Sequence, residues 1–94
     1  MIVVANTTPL IGLASIKRFD LLNRLFGEVH IATAVYDEIM KAGSDKKTAI
    51  REVSTSTWLK KVMVKDRLAV DVLLDELDLG EAETIVLAHE IRAD

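Results

Sequence analysis

The chain has 94 residues, a formal net charge of −3, half its residues hydrophobic and no cysteine. That length suits one domain. The charge provides no global basic field for coating nucleic acid, and without cysteine both a disulfide scaffold and a thiolate metal site are excluded. Aromatics are scarce, one Trp, one Tyr and two Phe, so the core must rest on Leu, Ile, Val and Ala.

Ile2-Val3-Val4-Ala5 is a short β-branched run, the pattern of a strand buried on both faces. Asn6-Thr7-Thr8-Pro9 stops it. The apolar stretch from Ile2 to Ile16 is therefore not a signal peptide, since it also lacks a basic start. No uninterrupted run approaches the roughly 20 apolar residues of a membrane span, so a cytoplasmic protein is expected. Thr8 can cap a helix with Pro9 at its first position, covering Leu10 to Ile16. A second helix is expected over Phe19 to Phe26, apolar at Phe19, Leu22, Leu25 and Phe26, with Gly27 to end it.

Val29-His30-Ile31-Ala32 reads as the second strand. Thr33 can cap a third helix reaching about Lys41, with Val35, Ile39 and Met40 on its apolar face. Ala42-Gly43-Ser44 breaks it. Asp45 to about Val53 is expected to form a weaker helix, followed by a Ser/Thr connector from Ser54 to Thr57. Val62-Met63-Val64 is the expected third strand. Asp66 to Leu77 reads as helix, with Leu68, Val72 and Leu73 as core positions. Asp78-Leu79-Gly80 turns the chain into a last helix, Glu81 to Arg92, apolar at Ala82, Ile85, Val86 and Ala88. Strands alternating with helices imply βαβ units and a mostly parallel sheet. The last crossover helix reaches no further strand within the sequence, so the architecture reads as unfinished.

In open α/β sheets, ligands collect outside the carboxyl ends of the strands. Asn6 lies at such a place, although it could equally serve turn and capping hydrogen bonds. Glu38 falls between the apolar positions Val35 and Ile39, beside Lys41; taken alone it is an ordinary boundary glutamate, and Asp37 points to water. Gly80-Glu81-Ala82-Glu83 opens the last helix, where acids meet the positive end of the helix dipole. Glu81 shares a face with Ile85 and Ala88, which leans it inward. Inward carboxylates are costly unless paired or bound to a cation. Hard oxygen ligands from separate helices suit Mg²⁺ or Mn²⁺.

The order of these features carries more than any one of them. IVVANTTPLIGLASIKRFDLLNRLFGEVHIATAVYDEI, then WLKKVMVKD and LDLGEAETIVLAHEIRAD, resemble the PIN domain family, and within it the toxin-like subgroup once known only as a domain of unknown function. The resemblance spans essentially the whole chain. It implies an α/β fold, a three-layer sandwich with a short, mostly parallel central sheet flanked by helices and the last strand missing. It also implies a metal-dependent ribonuclease of a toxin–antitoxin system.

By the same resemblance, Asn6 takes the place of the first acid after strand one. Thr7 or Thr8 matches the hydroxyl residue that orders the site against substrate. Glu38 matches the second acid, and Glu81 the third, with Glu83 able to share or take that role as a metal ligand. The family's fourth acid falls beyond Asp94, so the resemblance implies a truncated, weakly active version with Mg²⁺ or Mn²⁺ as cofactor. The implied partners are RNA, an antitoxin protein and further copies of the chain. Asn6 still offers a carbonyl oxygen to a metal but brings no charge. The competing reading is a non-catalytic module that binds an antitoxin or another PIN subunit, with a basic segment filling the acidic cleft. A gene fragment without independent function ranks behind both. A Rossmann domain ranks lower still, because no Gly-rich loop follows the first strand. His30 and His89 are expected to be structural.

Overall fold

A computed structural model describes residues 1–43 and 46–94. Ser44 and Asp45, expected at a helix break and a helix start, lie outside the described residues. Strands β1 (Val3–Val4), β2 (Val29–Ala32) and β3 (Leu59–Val62) form a parallel sheet in that order. Helices α1 (Thr7–Ser15), α2 (Asp20–Phe26), α3 (Thr33–Met40), α4 (Lys47–Thr55), α5 (Arg67–Leu73) and α6 (Leu79–Glu90) connect and cover it.

The alternation of side chains along each strand divides the interior in two. Val29 and Ile31 join Leu10, Ala14, Phe19, Leu22, Val35, Ile39, Ala49 and Val53 in one cluster, with Val3 and Leu59 packed against it. Ala32 joins Val64, Val70, Ala82, Val86 and Leu87 in the other, backed by Val4 and Val62. Both faces of the sheet are therefore covered, as βαβ crossovers require, and the layers are helix, sheet, helix. No helix among the described residues is long and apolar enough to cross a membrane.

Several boundaries and faces differ from the sequence expectation. The third strand, Leu59–Val62, shares only Val62 with the expected Val62-Met63-Val64. Trp58 packs on Phe19 with ring centroids 5.4 Å apart, and its carbonyl accepts from the Val29 N–H at 3.0 Å, which sets Leu59 opposite Val29. Lys60 and Lys61 then stand exposed on this outer strand, where charge discourages further pairing. Helix α1 begins at Thr7 rather than after Thr8, because the Asn6 side chain accepts from the Thr7 N–H. Helix α6 begins at Leu79 because Asp78 and Glu81 form a reciprocal capping box.

The largest correction concerns α5. Leu68 and Val72, expected in the core, are 75% and 65% exposed, whereas Val70 is fully buried with Ala69 and Leu73 beside it. The N-cap Asp66 and the pairing of Arg67 with Glu83 fix the helix rotation that turns Val70 inward. On α6, Ile85 is 51% exposed while Leu87 is fully buried. Leu25 on α2 is likewise exposed.

Candidate functional site

Parallel strands bring their carboxyl ends to one edge, and the chain leaves β1 there through Ala5 and Asn6. The Ala5 N–H still donates to the His30 carbonyl at 2.9 Å, so the ladder continues to the last residue before the turn. Asn6 Oδ1 accepts from the Thr7 N–H at 2.7 Å, which holds the amide over the start of α1. Thr7 is buried, and its Oγ1 has no hydrogen-bond partner among the described residues. A buried hydroxyl without a partner costs on the order of 1–3 kcal/mol, so this is a polar atom the protein alone does not satisfy. Thr8, the other threonine of this turn, is exposed.

The acidic residues are distributed by α6. Glu83 is 5% exposed and reaches the start of α3, where its Oε1 accepts from the Ala34 N–H at 2.9 Å. That helix has no capping side chain of its own, so Glu83 satisfies one of its free N–H groups and meets its positive dipole end. Glu83 Oε2 accepts from Arg67 Nη1 at 2.7 Å, with the guanidinium side chain 52% exposed. The buried carboxylate is thus charge-paired and hydrogen-bonded on both oxygens.

Glu81 faces solvent. Its carboxylate accepts from the Asp78 N–H at 3.1 Å while Asp78 Oδ1 accepts from the Glu81 N–H at 2.8 Å. The expectation that Glu81 leans inward with Ile85 is corrected, because Ile85 itself lies on the outer face of α6. It is Glu83 that points inward.

Glu38 is exposed on α3 and sits beside the start of α6. A Cβ placed on Gly80 would lie 3.1 Å from Glu38 Oε1 and 3.6 Å from Asp78 Oδ1, so the missing side chain of Gly80 leaves room for both carboxylates. Ala34, Asp37, Glu38, Lys41, Leu79 and Gly80 line a shallow cavity of about 230 Å³ there. Ala34 links the two acids, since its N–H holds Glu83 and it lines the cavity with Glu38. Among the described residues, no three His, Cys, Asp or Glu side chains stand together as a ready-made metal cage. The His30 ring contacts the Val3 carbonyl and Glu28, and His89 is exposed on α6.

Sequence reasoning singled out neither Arg67 nor the capping role of Asp78. The second was readable, since Asp78-x-x-Glu81 is a capping-box spacing. Arg67 offered a fainter signal, as the lone Lys or Arg from Asp66 to Glu90.

A family model described as a PIN domain matches residues 2–94. No curated protein and no solved structure matches the chain. The family match covers nearly every residue, and the parallel sheet between helical layers is the architecture that the resemblance implied. The chain belongs to the PIN domain family.

Proposed function

We propose that the chain is a metal-dependent ribonuclease, the toxin partner of an antitoxin protein, acting on RNA at the carboxyl edge of its sheet. Its place of action on this reading is the cytoplasm, and it works as a homo-oligomer. The observation that carries the reading is the unsatisfied, buried Thr7 hydroxyl next to Asn6 at the end of β1, in a chain of this family.

The donors near this edge and along α3 are Asn6 Oδ1, Thr7 Oγ1 and the Glu38 and Glu83 carboxylates, all hard oxygens of the kind Mg²⁺ or Mn²⁺ takes. By ligand type they suit an ion that keeps most of its waters. Few charges contribute, because Asn6 is neutral, Glu81 is turned to capping and Glu83 is already bonded on both oxygens. The chemistry such an ion supplies is a bound water of lowered pKa and neutralisation of charge on the phosphate oxygens. Asn6 presents its carbonyl oxygen in an orientation held by the Thr7 N–H. Thr7 offers a hydroxyl that can donate to or accept from a water or a phosphate oxygen. Glu38 brings a carboxylate that has no hydrogen bond or ion pair among the described residues.

The internal bonding of Glu81 and Glu83 favours the second reading, a non-catalytic module that binds an antitoxin or another PIN subunit. Two measurements separate the readings. In a calorimetric titration with Mg²⁺ or Mn²⁺, binding should be weak, and Asn6→Asp should tighten it roughly tenfold by adding a charged oxygen. In a cleavage assay on labelled single-stranded RNA, Glu38→Gln should remove activity while the folded circular dichroism signal stays, and Glu81→Gln, which keeps the capping box, should not. Metal-independent behaviour and no cleavage would leave the interaction module standing.

A further inference from the structure

The charge of the chain is segregated. Residues 1–65 carry ten Lys or Arg and six Asp or Glu, whereas residues 66–94 carry two and nine. The acidic segment builds α5 and α6, and these are also the helices that leave apolar side chains in solvent. Between them runs an open groove of about 580 Å³, with Leu68, Ala69, Val72, Leu73, Ile85 and Val86 along it. Leu68, Val72 and Ile85 are each more than half exposed, on neighbouring helices, so they form one patch rather than scattered residues.

The rim decides what fits. Asp66, His89 and Glu90 line one end of the groove. Asp71 lies one helical turn on from Leu68, Asp75 follows Val72 by three residues, and both are exposed. Apart from His89 in the lining, the segment's bases are Arg67, which is engaged by Glu83, and Arg92, which does not line the groove. A second copy docked through a two-fold axis would set this acidic rim against itself, since such an interface brings the same patch from each subunit together. An apolar helix face flanked by Lys or Arg meets both the floor and the rim.

We propose that the α5–α6 groove is a docking site for a basic amphipathic helix of a partner protein. The proposal goes beyond the nuclease reading and does not rest on it, because the groove uses none of Asn6, Thr7, Glu38 or Glu83.

The probe is a dye-labelled Leu/Lys amphipathic peptide of about five helical turns, titrated with the chain and followed by anisotropy. Binding should weaken as salt is added, and a Leu/Glu version should not bind. Leu68→Glu and Ile85→Glu should each weaken binding roughly tenfold, as loss of an apolar anchor does. Both side chains are exposed, so the fold should survive, which far-ultraviolet circular dichroism checks. Leu68→Glu makes the chain more acidic, so unspecific charge attraction would give equal or tighter binding; that result overturns the proposal. Asp71→Lys should also weaken binding. Failure of the Leu/Lys peptide to bind overturns the proposal too. So does a sedimentation shift to dimer that Leu68→Glu abolishes, because a second copy would then fill the groove. RNA cleavage should be unchanged in Leu68→Glu, so the two readings can fail separately.

Discussion

On one side of the sheet, α1 to α4 bury a broad apolar cluster in which Leu10, Val29, Val35 and Ile39 are fully inaccessible to solvent. On the other side, α5 and α6 bury a smaller one and leave Leu68, Val72 and Ile85 in solvent. The second side is fastened by carboxylates instead. Each of three acids on α6 takes a backbone N–H: Glu81 that of Asp78, Glu83 that of Ala34, and Glu90 those of Lys65 and Asp66. Apolar area holds the first side together without direction, whereas directed hydrogen bonds set where α6 lies against α3 and against the entry to α5. The site on α3 therefore depends on the fastened side for its geometry.

The largest effect should come from the packed side. Ile39→Ala should cost about 2–5 kcal/mol, while Leu68→Ala, equally apolar in sequence, should stay within about 0.5 kcal/mol. Urea denaturation midpoints at constant slope measure both, and equal costs would erase the contrast. Next, Glu83→Ala should cost about 2–3 kcal/mol, since it leaves the Ala34 N–H without its partner; the exposure of Arg67 keeps the ion-pair share small. Asp78→Ala should cost about 1 kcal/mol as a lost cap. A Glu83 variant as mild as the Asp78 one would show that α6 is not fastened by its inward carboxylate. Smallest of all, Gly80→Ala should change stability by less than about 1 kcal/mol, because a better helix former is gained while the flexible end of Glu38 must move aside. Its use is to sharpen the site: metal titration should respond to the displaced Glu38 carboxylate even where the melting temperature does not.

Much of this was legible in the residues. The β-branched runs at Ile2–Ala5 and Val29–Ala32, each followed by a helix pattern, specify parallel strands joined by crossovers, because that periodicity reflects local geometry and burial on both faces. The resemblance of three segments in order to PIN domains supplied the family, and Asn6 at the end of β1 follows directly from that order. Ala82 and Val86 were legible as the inward side of α6, but tertiary structure alone decided which side of α5 faces inward and that Ile85 stays outside. Leu68, Val72 and Ile85 are as hydrophobic as Val70, Val86 and Leu87, and nothing in helical spacing ranks one stripe over the other. The choice was made by contacts across long stretches of sequence, Arg67 with Glu83 and Glu83 with Ala34, and a short-range pattern carries no record of them. The same contacts turned Glu83 inward and left Glu81, two residues earlier, to cap its own helix at the surface.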